Sequence, residues 1–278
     1  MLPDRAVCGI MEPEENNMEL REMLGELNER KKLLEKRRPL SEAEIEEAQL
    51  FFKIDSVWSS NAIENNTISR DETSVIIGDG MTVGDHSLRE LFETLGGASA
   101  YDFMYTLKDG KPITENDILK MHRLFAWNIP DIQPGEYRDC RVYMTMPDGT
   151  DHEFPAPEKV PRLMKDLMKW YEENRTKLHP AVLAADLHAK FVTIHPFRDG
   201  NGRVARLLAN TVLIQNGFLP LAIPPIRKGD YNSRINAYQK RDSILPFRSF
   251  IAEMALMTMR DYMRMLGISY VRNKGIER

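Results

Sequence analysis

The chain of 278 residues is short of cysteine, of long apolar runs and of net charge. Cys8 and Cys140 are its two cysteines. They cannot build a disulfide framework, and without a CxxC or a Cys/His cluster they offer no zinc site. No apolar stretch reaches the length needed to span a bilayer, and no secretory h-region is visible. Those absences lead to an expectation of cytoplasmic residence with no membrane attachment. A formal net charge of −4 supplies no electrostatic case for nucleic acid as a partner. Internal repeats and low-complexity tracts are missing too, and strand signals are confined to one place. What remains is ordinary globular composition, 42% hydrophobic and 29% charged. The sixteen methionines read as adaptable core filler.

Residues 1–16 read as a lightly attached N-terminus. From Met18 to Arg38, charges of both signs surround Leu20, Met23, Leu24, Leu27, Leu33 and Leu34, an amphipathic helix stopped by Pro39. Its stripe packs on the core or on a second copy of the chain, as a homodimer would require. The apolar repeat is short for a committed coiled coil, which favours the core. Ser41-Glu42-Ala43-Glu44 is a capping box opening a helix through Phe51, Ile54 and Trp58. Gly and polar residues around Val75-Ile76-Ile77 suggest a loop or short hairpin over 67–85. Residues 87–107 read as a helix weakened or bent at Gly96-Gly97, and Thr114 with Asp117 caps another. His122, on that helix's apolar side, reads as a structural hydrogen bonder. Apolar spacing marks helices over 157–174, from Pro180 to Ile194, and over 247–266. His188 falls among core positions of the second.

The strand signals lie in Arg141 to Met146 and Asp151 to Phe154, joined by Pro147-Asp148-Gly149-Thr150, a good hairpin turn. The expected fold class is therefore mostly α, a helical bundle with one small β-hairpin. Its expected divisions are an N-terminal segment at 1–40, a core at 41–255, and the end of the terminal helix and a tail at 256–278.

The densest chemistry lies in His195-Pro196-Phe197-Arg198-Asp199-Gly200-Asn201-Gly202-Arg203-Val204-Ala205-Arg206. Pro196 disfavours helix at His195, and apolar residues resume helical spacing after Gly202, so a loop enters a helix here. The first N–H groups of a helix lack intrahelical partners and carry partial positive charge. Gly200 and Gly202 let an oxyanion approach them closely. Arg203 and Arg206 share one side of the first turns, where two guanidiniums can fork onto phosphate oxygens. Asp199 would repel a bare phosphate and makes best sense as a ligand for Mg²⁺ or Mn²⁺. His195 is the group whose ordinary pKa suits proton transfer. The alternative is a polar helix start whose Asp and Arg pair with each other. Five chemically matched positions argue instead for a phosphate-bearing ligand, a divalent ion and a base.

This stretch resembles the Fic-family signature H-x-F-x-[D/E]-G-N-G-R-x-x-R, with every defined position filled. The resemblance implies a Fic fold and transfer of AMP from ATP to a Ser, Thr or Tyr hydroxyl of a target protein, self-modification included. It implies that His195 deprotonates that hydroxyl, Phe197 anchors the loop, and Asp199 holds the metal against the α- and β-phosphates. Gly200, Asn201 and Gly202 would form the anion nest, Arg203 would contact the inner phosphates and Arg206 the γ-phosphate. Doc-like relatives that phosphorylate carry Asn-Lys-Arg where this chain has Asn201-Gly202-Arg203, which argues against the kinase variant. The hairpin would be the flap, with Val142, Tyr143, Met144 and Thr145 clamping an extended target segment by strand addition. A surface hairpin without a partner is the plain alternative. The Gly229-Asp230-Tyr231-Asn232 segment resembles the one closing the adenine pocket, often Tyr-Tyr where Tyr231-Asn232 stand. Asn232 departs from that pattern, and Gln239 is a second candidate there.

Upstream, Ser60, Glu64 and Asn65 fill the inhibitory motif [S/T]-x-x-x-E-[G/N], placed ahead of the core as in the class II arrangement. A carboxylate on Arg206 would occupy the guanidinium fork that the γ-phosphate needs. If the pair is shielded from water, separating it costs about 3–5 kcal/mol. Otherwise Glu64 simply ends its helix in solvent. Two other functions stay open: AMP removal, with Glu64 orienting a water, and nucleotide sensing with little turnover.

Overall fold

Four helices begin on the same reciprocal cap. A Ser or Thr side chain accepts the N–H of the residue three places on, whose carboxylate accepts the cap's own N–H. The pairs are Ser41/Glu44, Ser69/Glu72, Ser87/Glu90 and Thr114/Asp117. They open α2 (Glu42–Ile63), α3 (Arg70–Gly78), α4 (Leu88–Thr106) and α5 (Glu115–Ala126). The computed structural model describes residues 18–37, 41–145, 149–240 and 243–270. The expectations for residues 1–16, for the Pro39 stop, for Pro147-Asp148 in the turn and for the chain after 270 lie outside them. The other elements are α1 (Met18–Lys36), β1 (Tyr143–Thr145), β2 (Asp151–Glu153), α6 (Val160–Asn174), α7 (Pro180–Ile194), α8 (Asn201–Gln215), α9 (Lys228–Gln239) and α10 (Leu245–Met265). The fold class is thus mostly α with a two-stranded antiparallel sheet among the described residues. No helix described is long and apolar enough to cross a membrane.

The core gathers around α7, whose residues from Ala181 to Val192 are all buried. α8 packs along it, burying Val204, Ala205, Leu208, Val212 and Leu213, and α10 closes another side with Phe247, Phe250 and Ile251. The stripe of α1 lies on this core: Leu20, Leu24, Leu27 and Leu34 are buried, and Arg260 of α10 bonds Glu26 at 2.9 Å. Two helices thus fix both sides of the loop between Ile194 and Asn201.

Two expectations need correction. Residues 70–78 form α3, not a loop or hairpin, because the Ser69/Glu72 box supplies a helix start and buried Thr73 and Ile76 supply a contact face. α4 runs unbroken through Gly96-Gly97. Those glycines serve a close crossing instead: a Cβ on Gly96 would stand 2.2 Å from the Phe125 carbonyl oxygen. Gly96→Ala should therefore cost about 1–3 kcal/mol through forced separation of α4 and α5. Gly25→Ala, exposed on α1 with nothing within 4 Å of the new methyl, should gain about 0.5–1 kcal/mol. Thermal melts of the two variants should move in opposite directions; equal shifts would refute this account of the crossing.

Candidate active site

α7 ends where Pro196 demands it, and His195 takes the left-handed cap conformation (φ 53°) while its N–H still reaches Phe191 O at 3.0 Å. A non-glycine residue there holds local strain of about 1–3 kcal/mol, maintained only when its surroundings over-determine it. They do. The Asn201 amide bonds both the N–H (2.9 Å) and the carbonyl (2.8 Å) of Phe197, and the buried Phe197 ring stacks on His122 at 3.7 Å. His122 Nδ1 accepts the Gly135 N–H at 2.9 Å, so its Nε2–H donates to Asp199 O at 3.1 Å. Burial holds that imidazole down at about 4, neutral as the two bonds require. Arg138 binds the loop from the other side, giving its N–H to Pro196 O at 2.9 Å and its Nε–H to His195 O at 2.8 Å. The same guanidinium donates to Cys140 O at 2.8 Å and to Pro155 O, at the two ends of the hairpin.

The hairpin pairs Tyr143 with Glu153, Met144 with His152 and Thr145 with Asp151, and Phe154 N–H closes on Val142 O at 3.2 Å. Its buried Phe154 ring stacks on His195 at 3.9 Å. Tyr143 and Thr145 are exposed, Val142 and Met144 half-buried. His195 Nδ1 faces Val192 O at 3.4 Å, which directs its proton there and leaves Nε2 as the lone-pair nitrogen. Burial, with the Arg138 charge beside it, lowers this imidazole to about 4. At neutral pH the ring is unprotonated.

α8 starts at Gly200, whose φ of 81° suits glycine alone and whose missing Cβ would stand 2.8 Å from the Phe125 ring. Asp199 is half-exposed; its Oδ1 accepts the Gly200 N–H and its Oδ2 meets Arg89 Nη2 at 2.6 Å. Arg203 is buried under Phe125, its guanidinium 4.6 Å from the ring centroid and 3.2 Å from Glu93 Oε2. Arg206, one turn on, is buried against the end of α2. Its Nε donates to Ser60 Oγ at 2.8 Å, and Nη2 donates to Ser60 O at 3.0 Å and to Glu64 Oε1 at 2.7 Å. Partial desolvation of the solvent-edged Glu64 opposes its ionisation most strongly, yet the Arg206 and Arg203 charges outweigh it and hold the carboxyl below the usual range. Arg206 is pushed up despite its own burial, by Tyr231 and Glu64. Asn65, also left-handed at φ 70°, accepts Lys228 Nζ at 2.6 Å.

Tyr231 is buried with its hydroxyl on Arg206 and His188, whereas Asn232 is exposed on α9. Gln239 is buried near the loop, Nε2 3.5 Å from Val192 O, its Oε1 without a hydrogen-bond partner among the described residues. A cavity of about 30 Å³ behind the guanidiniums, walled by Ser60, Tyr101, Arg203, Arg206 and Asn210, has room for a water and not for a nucleotide. No group of three or more His, Cys, Asp or Glu that could hold a metal occurs among the described residues. Asp199 is a single carboxylate at the helix start, with Oδ1 on the Gly200 N–H and Oδ2 on Arg89, so a metal held there would take the place of Arg89 and draw its other ligands from elsewhere. Arg89, Glu93 and Arg138 join the site unforeseen, while His122 takes the structural hydrogen-bonding role expected of it and His188 lies in the core.

Four histidines are held neutral chiefly by desolvation: the buried His188 at about 3 and His122 at about 4, and the half-buried His195 and His179, the latter capping α7, at about 4. Unfolding returns them to about 6.5, so below that pH the unfolded chain binds more protons than the folded one. Stability should be fully present above about pH 6.5 and fall towards pH 4, by at most about 1.4 kcal/mol per pH unit for each histidine. Melting temperatures at pH 7.5, 6 and 5 should decrease in that order; a flat series would contradict the buried neutral state.

With this geometry in place, residues 112–213 match the Fic/DOC family, and the chain belongs among the Fic-domain proteins. Protein adenylyltransferase Fic of Nematostella vectensis is 35% identical over 210 residues, covering 74% of this chain and 48% of the relative. Protein adenylyltransferase fic-1 of Caenorhabditis elegans is 32% identical over 210 residues, covering 74% and 40%. The chain thus spans less than half the length of these curated relatives. A Fic domain containing signaling protein from Bacteroides thetaiotaomicron superposes with a TM-score of 0.81 at 26% identity, over 89% of this chain and 98% of that one. A C. elegans Fic-1 fragment gives 0.79 at 28% identity, over 89% and 73%.

Proposed function

We propose that the chain is a self-inhibited protein adenylyltransferase, moving AMP from ATP to a hydroxyl side chain of a protein. The observation that carries this reading is the seating of Glu64 on Arg206 at 2.7 Å, one turn beyond a glycine-lined helix start. Arg206 supplies the fork that a γ-phosphate would take, and Glu64 occupies it. The first-turn N–H groups of α8, left open by Gly200 and Gly202, receive the inner phosphates, with Arg203 beneath. Mg²⁺ or Mn²⁺ held on Asp199 would neutralise the leaving pyrophosphate. Asn232 and Gln239 are the side chains left for the base.

The target hydroxyl oxygen attacks the α-phosphorus and the bond to the β-phosphate bridging oxygen breaks. The hydroxyl proton goes to His195 Nε2 and pyrophosphate leaves with the displaced electron pair. The target segment, or a segment of a second copy in self-modification, adds as a strand along Val142, Tyr143, Met144 and Thr145. ATP labelled at the α-phosphate should label protein and ATP labelled at the γ-phosphate should not; the reverse would make the enzyme a kinase and defeat the proposal.

One observation favours a second direction of the same chemistry. Glu64 engages Arg206 through Oε1, while its side chain is 36% exposed. Its other oxygen could hold a water against an AMP-modified target. Release of AMP from such a target by the wild type, lost in Glu64→Gly, would support this reading.

A further inference from the structure

Arg206 makes four side-chain hydrogen bonds among the described residues, and three go to the end of α2. If α2 withdraws, Ser60 Oγ, Ser60 O and Glu64 leave together. The fourth bond stays. Arg206 Nη1 donates to Tyr231 Oη at 3.3 Å, and Tyr231 belongs to α9, packed on α7 and α10. We infer that Tyr231, backed by His188, is a positioning residue that keeps Arg206 aimed at the γ-phosphate once Glu64 has gone. The inference rests on the proposed role of Arg206 and assigns it a permanent support.

The hydrogen-bond directions are fixed by what each group can do. A guanidinium only donates, so the Tyr231 oxygen accepts from Arg206. The hydroxyl proton must then point elsewhere, and His188 Nε2 lies 2.9 Å away. With the hydroxyl donating to Nε2 the imidazole proton sits on Nδ1, a buried nitrogen with no hydrogen-bond partner among the described residues. A protonated His188 would donate to the same oxygen and repel Arg206. Complete burial and the nearby guanidinium keep it neutral, at about 3. The rings are locked as well: His188 packs edge-on to Tyr231 at 5.6 Å and to Phe247 at 5.2 Å, and Phe250 lies 6.3 Å from Tyr231. The hydroxyl is therefore held by core packing and cannot rotate away.

A forked Arg–phosphate contact needs the guanidinium plane aligned before the ligand arrives. An arginine released from α2 with no other partner would lose that alignment and the affinity that comes with it. Tyr231 is 5% exposed and its hydroxyl is spent on Arg206 and His188, which leaves contacts with the base to its neighbours.

The test compares ATP and ADP affinity with Mg²⁺ by titration calorimetry on the full chain in the Ser60→Ala/Glu64→Gly background, which removes both side-chain contacts of α2 with Arg206, because only ATP carries a γ-phosphate to reach that guanidinium. Adding Tyr231→Phe removes one oxygen and keeps the ring. It should lower the preference for ATP over ADP by about tenfold and leave ADP affinity unchanged, with a fall in melting temperature from the buried Arg206 and His188 groups left without that partner. His188→Leu should do the same, and His188→Gln, which restores an acceptor near the Nε2 position, should recover most of the preference. Adding Arg206→Ala instead sets the floor. If that floor is reached while Tyr231→Phe keeps the full preference, or if ADP binding falls equally, Tyr231 merely packs and the inference is overturned. If Arg206→Ala itself keeps the preference, the role of Arg206 is wrong and the inference falls with it.

Discussion

Glu64→Gly should raise AMP transfer by about tenfold to a hundredfold over the wild type. The size follows from the pair it removes. The Arg206 side chain is 7% exposed and that of Glu64 is 36%, so the contact is shielded on one side only. A charge-assisted bond of this kind contributes about 1.5–3 kcal/mol, less than the about 3–5 kcal/mol of a fully enclosed pair. Every ~1.4 kcal/mol of misplacement removed speeds transfer about tenfold. The carboxylate also overhangs the helix start: a Cβ on Gly202 would lie 2.5 Å from Glu64 Oε1. On the proposed reading it would repel inner phosphates as well as occupy the outer guanidinium. Labelling of the protein itself or of lysate proteins from α-labelled ATP is the readout. Equal labelling by both forms would leave Glu64 without a regulatory role.

His195→Ala should lower transfer by about 10²–10⁴-fold, the usual contribution of a positioned general base. The Nδ1 contact with Val192 O and the Phe154 ring aim its free nitrogen, and removing the ring leaves the start of α8, Arg203 and Arg206 in place. ATP affinity in the Glu64→Gly/His195→Ala double variant should therefore stay within a few-fold of Glu64→Gly alone. Transfer persisting within tenfold would remove His195 as the base.

The locally encoded parts of the fold were readable. The caps at Ser41 and Thr114, the start of α7 at Pro180, and the entry of loop into α8 at Gly200 follow from residues within a few positions of one another. α3 was missed although Ser69 and Glu72 carry the same cap, because Gly78 and Gly80 and the shortness of the apolar run resemble a loop. Gly96-Gly97 were misread because what they touch, the backbone at Phe125 and the Val57 side chain, belongs to other helices.

The site divides in the same way. His195 to Arg206 announces itself by spacing, and Glu64 by a short motif that gains weight only beside it. Arg89 on Asp199, Glu93 beneath Arg203, Arg138 across the loop and His188 behind Tyr231 are long-range partners with no sequence period linking them. Burial of His122 and His188 was legible from their apolar helix faces. Their hydrogen-bond partners were not.

The account turns on Arg206 as a single seat sought by two anions. Structures of the wild type and of Glu64→Gly with a non-hydrolysable ATP analogue and Mg²⁺ would address it directly. In the variant the γ-phosphate should sit on the Arg206 guanidinium; in the wild type the Glu64–Arg206 pair should persist with the γ-phosphate displaced. A γ-phosphate bound to Arg206 while Glu64 keeps its 2.7 Å contact would contradict the account.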